Sequence, residues 1–550
     1  MKKIYKFLIL TVLALAGTFY SCETIELENL NDPNNLVPEQ ADANNLLNNI
    51  QLAYRGSQIT FSDNAAALVR IDYFFGRNYF NNLGSGTLNG PWGNLYSSMI
   101  PDIANLEVLN ADEGTDLSYH LGMAKTMQAH LMMQLVDFLG DVVFSQANNP
   151  SEFPTPELDD DADVYAAALA VLDQGLGFLN AAPSDPPSGL IDLYFEDSSP
   201  EAWIKVNNTI RMRYNLTTGN NQAVLNATNV IEDAADDFAF PYGTNVQQPD
   251  NRHPDYAADY TDSGANIYQS NWLMKLMNDN DDPRRRYYFY RQDPCTPGAS
   301  CDPDGDGETL SCSLESAPVH YITGGFSFCF LENGYWGRDH GDTDGTPPDN
   351  FTRTAVGVYP AGGRFDDDAF SNVGLGVGAG GFGIEPIFLS SYVDFMRAEA
   401  ALAMNMEGTA STWLESAMTK SIAKVQGFAA NDGSADLSFE PDSGAVDSYI
   451  ADAVAAFDAA SGEDQWDVLA EQYWIALFGG GTDAYNFYRR RGNPTTLQPN
   501  LEPDPGVFPR TFLYPNNEVI ANPNIIQRTD NATQVFWDTN PAGPAFPPAN

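Results

Sequence analysis

Residues 117–138 read Leu-Ser-Tyr-His-Leu-Gly-Met-Ala-Lys-Thr-Met-Gln-Ala-His-Leu-Met-Met-Gln-Leu-Val-Asp-Phe. Within them Leu121, Ala124, Met127, Leu131, Leu135 and Phe138 recur at steps of three and four, the spacing of one face of an α-helix. Working outward, the same period predicts helices over 42–56 and 94–110 on the N-terminal side. It predicts 163–181, opened by an Asp cap, and the pair 200–217 and 221–237 on the C-terminal side. Helices resume at 385, where Leu389, Tyr392, Val393, Met396 and Ala400 share a face, and continue over 411–428, 446–460 and 463–478. In the last of these Trp466, Leu469, Ala470, Tyr473 and Leu477 align. Eight to ten helices, paired at both ends of the chain, predict a mainly α fold with few short strands, although no strict sequence period is visible.

Between 240 and 384 the character changes. Gly, Pro, Asp, Asn and aromatic residues dominate, and amphipathic helices nearly vanish. The stretch is too aromatic for a disordered linker and reads as an elaborated functional surface carried on one face of the scaffold. The Gly-rich run 374–383 follows no convincing strand, so a flexible or closely packed loop explains it better than a phosphate cradle.

The N-terminus has the anatomy of a secretory signal: Lys2, Lys3 and Lys6, then an apolar run from Phe7 to Ala16, then Gly17 to Cys22 and an acidic start at Glu23. Residues 1–21 are expected to be removed, leaving Cys22 as an acylated N-terminus. The apolar run is too short to span a bilayer. Residues 22–40 read as a polar tether. The other four cysteines, Cys295, Cys301, Cys312 and Cys329, all fall in the irregular segment and make two pairs, with three connectivities possible.

The 550 residues carry 74 acids against 27 Lys and Arg, a net charge of −47. Such a field repels nucleic acid and anionic headgroups, which excludes nucleic-acid binding and leaves the lipid anchor as the membrane contact. With so many acids, a pair of carboxylates is no evidence of acid–base catalysis. Arg284 to Arg286 and Arg489 to Arg491 are dense basic clusters in this background and read as salt bridges to the chain's own acids. Five scattered histidines, with no HExxH, no GxSxG and no P-loop, give no support to an enzyme.

Several runs taken together resemble the SusD/RagB family of Bacteroidetes outer-membrane lipoproteins. They are Glu471-Gln472-Tyr473-Trp474-Ile475-Ala476-Leu477-Phe478, Asp483-Ala484-Tyr485, Arg489 to Pro494, Phe508-Pro509-Arg510 with Leu513 to Glu518 and Asn522, Phe395 to Ala400, and Leu139 to Phe144. The resemblance spans nearly the whole chain beyond the signal and includes the Cys22 start. It implies a single domain over 41–550 with tetratricopeptide-like helix pairs. The helical scaffold is expected over 41–240 and 385–490, a loop-rich ligand face over 240–384, and an irregular tail over 491–550. It also implies a non-enzymatic, cell-surface lipoprotein that captures oligosaccharide, or peptide in the RagB manner, for a SusC-like TonB-dependent barrel.

Carbohydrate presents flat C–H faces and many hydroxyls, so a binder needs exposed rings beside Asp, Asn and Arg. Two loops have that composition. The first supplies Tyr73, Arg77, Asn78, Tyr79 and Phe80; the second supplies Tyr335, Trp336, Arg338 and Asp339. Tyr79 and Trp336 are the expected exposed platforms, the alternative being rings buried to hold the loops down. Trp203, Trp413, Trp466 and Trp474 lie on predicted helix faces and are expected in the core.

Asp302, Asp304, Asp306 and Glu308 alternate with turn residues between Cys301 and Cys312. They read either as a calcium loop of a kind other than an EF-hand or as a solvated acidic turn, which a Cys301–Cys312 bridge would clasp. Asp339, Asp342 and Asp344 form a weaker rival set.

Overall fold

The computed structural model describes residues 42–147, 149–295, 312, 315–343, 349–542 and 546–547. The signal, Cys22, the tether, Cys301 and the Asp302–Glu308 motif therefore lie outside the described residues. From Ala43 onward the chain forms one compact unit.

Eleven described helices have nine residues or more: α1 (Ala43–Leu68), α2 (Ile100–Asn110), α3 (Ser118–Leu139), α4 (Asp161–Ala181), α5 (Pro200–Thr217), α6 (Asn271–Asp279), α7 (Ser390–Ala403), α8 (Glu407–Gln426), α9 (Ser443–Ala459), α10 (Glu463–Ala476) and α11 (Thr482–Arg491). Local chemistry sets their ends. Asp160 accepts the Ala162 N–H at 3.1 Å and Ser199 accepts the Ala202 N–H at 3.2 Å, with Pro200 preset for the first turn of α5. The α11 helix stops at Gly492 in the left-handed region, with Arg489 to Arg491 in its last turn, where cations favour the helix dipole.

The α3 helix is the axle. Every residue from Tyr119 to Leu139 is buried, so its polar members need internal partners. Lys125 Nζ lies 2.7 Å from Glu107, Gln134 and Gln58 exchange amide bonds at 2.7 and 2.8 Å, and Tyr54 Oη lies 2.6 Å from His130 Nδ1. Asp137 takes Arg213 at 2.8 Å, Asn486 at 2.9 Å and Trp537 Nε1 at 3.1 Å. Helices α1, α4 and α5 pack around α3, and α7, α8, α9 and α10 stack as a second set of pairs. By length and composition α4 could cross a membrane, yet it lays Val164, Tyr165, Ala168, Leu172 and Leu179 into this core.

Two corrections concern secondary structure. The predicted helix 221–237 is one turn, Asn221–Leu225, followed by irregular chain and β1 (Phe238–Pro241). Asn229 sits at φ 53°, which ends helical continuation, while Ile231 anchors its N–H on Thr209 Oγ1 at 3.0 Å. Before α7 the chain runs as a strand, β4 (Ile384–Phe388), not a helix. Strands β1 and β4 pair antiparallel, with Phe240 opposite Glu385; β2 (Phe289–Tyr290) pairs β3 (Ala355–Val356).

The tryptophans expected in the core are there: Trp203, Trp466 and Trp474 are buried and Trp413 packs partly buried against them. Both basic clusters are engaged internally. Arg284 chelates Asp282 at 2.6 and 2.9 Å, Arg286 reaches Asp368 at 2.9 Å, Arg490 reaches Glu399 at 2.9 Å, and Arg491 lies 3.9 Å over Trp466. The Gly-rich run is open at Gly374 and Gly376 and closely packed from Gly378 on: a Cβ on Gly383 would stand 2.1 Å from the Pro360 carbonyl oxygen.

Candidate ligand-binding site

The two loops singled out in the sequence meet, though 258 residues separate Arg77 and Tyr335. The Gly341 N–H donates to the Phe74 carbonyl at 2.9 Å, Phe74 stacks on His340 with centroids 5.1 Å apart, and Tyr79 Oη lies 3.1 Å from His340 Nε2. The Tyr73 hydroxyl donates to the Asp342 carbonyl. These contacts draw most of the predicted ligand residues inward. Tyr79 is 0% and Trp336 1% exposed, so neither is an exposed platform; they hold the loops to the body. Tyr335 is buried beneath the Arg291 guanidinium, 5.1 Å from its ring. Arg338 is bound to Asp342 at 2.8 Å and lies 4.4 Å over Tyr268.

Asp339 is a loop clamp. It accepts the Cys329 N–H at 2.6 Å, Gln498 at 2.8 Å and Asn271 at 3.0 Å, so it is not a free cation ligand. Asp342 is held by Arg338, and Asp344, the third member of the rival set, lies outside the described residues. Cys329 is bridged to Cys312. This corrects the expected Cys301–Cys312 clasp; Cys295 is also disulfide-bonded. In the first loop the outward groups are Phe75 at 62% exposure, Arg77 (3.2 Å from Glu502) and Phe80 at 39%. Asn78 caps the short helix Tyr79–Asn82, accepting the Asn81 N–H at 3.1 Å.

Beside these loops lies a cavity of about 350 Å³. The α1 helix points Ile59, Asp63 and Ala67 into it, at steps of four along one face. The chain leaves α1 through Asp72, bridged to Gln269, and Tyr73, whose ring meets Tyr268 edge-on at 5.8 Å. The short helix Pro254–Asp259 brings Asp255 to the rim, half-exposed, with His253 buried behind it. Strand β4 supplies Glu385. The turn after α10 adds Phe478, Gly479 and Gly480. That turn touches α1 directly, because a Cβ on Gly481 (φ +152°) would stand 2.6 Å from the Ala66 nitrogen.

Four carboxylates thus converge on one cavity, and none was singled out in the sequence. Asp72 directly precedes Tyr73 of the first loop; Asp63, Asp255 and Glu385 are lost among 74 acids. Enclosure by the cavity wall pushes the Asp63 carboxyl up to about 7, with Asp255 adding to it. Burial raises Asp72 and Glu385 well above the usual carboxylate range, and their acidic neighbours raise them further. Burial lowers His253, keeping it neutral. Among the described residues, acids whose ligand oxygens all fall within 4.8 Å of one another are Asp141, Asp160 and Asp161, outside the cavity. The cavity therefore presents acceptors and rings around an organic-sized space rather than a closed metal cage.

The fold is thus a helical scaffold of stacked pairs that holds a cavity walled largely by loops. Residues 33–307 match the family described as starch-binding, associating with the outer membrane, and residues 386–538 match the SusD and RagB outer-membrane lipoproteins. The chain belongs to the SusD/RagB family of outer-membrane lipoproteins. Among solved structures it is similar to a SusD/RagB family protein from Bacteroides thetaiotaomicron, at 17% identity and TM-score 0.65, covering 91% of this chain and 100% of that one. It is similar to a SusD homolog from Bacteroides fragilis, at 18% identity and TM-score 0.63, covering 91% and 99%. A chitin-binding SusD homolog from Flavobacterium johnsoniae matches at 17% identity and TM-score 0.59, covering 91% and 100%. No curated protein matches the chain.

Proposed function

We propose that this protein is a cell-surface lipoprotein, anchored through acylated Cys22, that captures oligosaccharide and delivers it unaltered to a SusC-like TonB-dependent barrel. The observation carrying this reading is the cavity beside α1, which Tyr73 alone of the predicted ligand residues lines, and where Tyr73, Tyr268 and Phe478 offer ring surface and Asp63, Asp72, Asp255 and Glu385 offer hydroxyl acceptors. The family and the chitin-binding similar fold support a glycan as cargo. Binding and release suffice for such a role, since the energy of import resides in the barrel's coupling to the inner membrane. Calcium at Asp302, Asp304, Asp306 and Glu308 would be structural, a loop brace rather than a reagent.

Isothermal titration against a panel of neutral, acidic and amino oligosaccharides, with product analysis of the same mixtures, tests the reading. Binding without cleavage is the expected result. Turnover of a bound glycan, or binding to none, overturns it. Affinity purification from native membranes should recover a barrel transporter; recovery of a complex without one overturns the delivery step.

A further inference from the structure

We propose that the cavity selects a sugar unit carrying a free, protonated amino group, such as a deacetylated amino-hexose, over its neutral N-acetylated counterpart. The inference rests on the glycan reading above and narrows it to one chemical class.

The first observation is a set of cavity carboxyls without a cationic or hydrogen-bonding partner. Asp63, Asp72 and Glu385 form no hydrogen bond or ion pair through their carboxyls among the described residues; Asp63 is exposed, Asp72 half-buried and Glu385 buried, whereas buried acids such as Asp282, Asp366, Asp538 and Asp339 are paired with arginine or backbone donors. Arg55, the cation acting on Glu385, is already engaged: it donates to Tyr242 Oη at 2.7 Å and lies over the Phe240 and Tyr242 rings at 5.2 and 4.9 Å. Glu385 is 4% exposed, and a buried carboxyl without a partner, ionised or protonated, is costly enough that natural sequences rarely keep one without a use.

The second observation is independent of charge. Gln269, also 4% exposed and lining the same cavity, has an amide nitrogen with no hydrogen-bond partner. A buried amide without a partner in the wall of a cavity gains one when its side chain turns toward a bound sugar hydroxyl. An ammonium group beside Glu385 and Asp63 favours release of their protons to solvent and then donates charge-assisted hydrogen bonds to the carboxylates, while the ring that carries it fills the space between Tyr73, Tyr268 and Phe478. A bare divalent ion fits less well, because these carboxylates do not gather within the span of one ion. An acetamido group is neutral and leaves the carboxylates as they are.

The test uses glucosamine disaccharide and N,N′-diacetylchitobiose with the full folded protein, by calorimetry in 0.5 M NaCl. The salt matters, because a chain at −47 attracts any cation weakly, and screening removes that part while sparing an enclosed contact. The expected result is at least tenfold tighter binding of the free amine, reduced at least tenfold in E385Q and in D63N. Both variants should melt no lower than the native protein, since each removes repulsion, so lost binding is not lost folding. Equal or preferential binding of the acetylated sugar overturns the amine assignment and leaves the glycan reading standing. Lysyl-lysine binding as tightly as the amino sugar overturns the sugar assignment. Calcium binding that E385Q abolishes, without amine binding, makes this a metal site instead. Absence of binding across all sugars, neutral ones included, overturns the glycan reading itself.

Discussion

At the scale of single residues, the proteins that bind sugars and those that merely fold use the same side chains, and burial decides which role each takes. Trp336 looks like a platform in sequence and is an internal brace. Trp336→Ala should therefore cost about 3–5 kcal/mol of stability in urea unfolding, whatever it does to binding. A variant that binds less but unfolds like the native protein would contradict the brace. Glu385 offers the converse. Its folded pKa is raised, so the native state holds a proton that the unfolded chain has released once pH exceeds its ordinary value of 4.5. Stability contributed by this group falls as pH rises through that window. The E385Q variant should match the native protein near pH 5 and melt progressively higher than it toward pH 8. The groups around Glu385 share in this: Asp63, Asp72 and Asp255 strengthen the effect and Arg55 weakens it. On the acid side His130, His253 and His340, all lowered by burial, oppose it, since the unfolded chain takes up their protons as pH falls below about 6.5. A variant advantage that shrinks toward pH 8 would refute the assignment.

At the scale of elements, helix pairing rests on small residues at close approach. A Cβ on Gly122 of α3 would stand 2.7 Å from Leu179 of α4, and one on Gly175 would stand 3.0 Å from Thr126 Oγ1. Gly177, two residues along, faces open space on the same helix. Gly177→Ala should stabilise the protein by about 0.5–1 kcal/mol through helix propensity. Gly122→Ala should destabilise it by about 1–3 kcal/mol through overpacking. Paired thermal melts read both, and the same sign for the two would show that α3 and α4 are not locked there. The same logic explains the conspicuous run in the C-terminal part of the chain. Arg489 donates to the Asp137 and Arg510 carbonyls at 2.6 Å each and lies 3.8 Å over Tyr485, and Arg510 is bound to Asp538 at 2.5 Å. These residues tie the tail to α3, so Arg489 and Arg510 act as a structural lock.

At the scale of the whole molecule, a net charge of −47 spread over one body works against compactness. Raising NaCl from 10 mM to 0.5 M should increase Tm by several degrees, because the Debye length falls below the spacing of surface acids. A Tm independent of salt would mean that the surface acids are locally neutralised. Periodicity alone determined the mainly α scaffold, the core tryptophans and the loop-rich segment between the helical halves, because a helix face is written at steps of three and four within one stretch of chain. It missed β4, α6 and α11, where Pro386, a short amphipathic stretch and an arginine-rich stretch disguise the pattern. Two loops with binding composition were also legible, and they do meet. Which of their rings face solvent was not, since that depends on His340, Gln498 and Asn271 arriving from elsewhere. The acidic cavity was beyond sequence altogether: Asp63, Asp72, Asp255 and Glu385 come from four separate segments, and only folding sets four carboxyls, ordinary singly, around one cavity, where reduced solvation raises Asp63, Asp72 and Glu385.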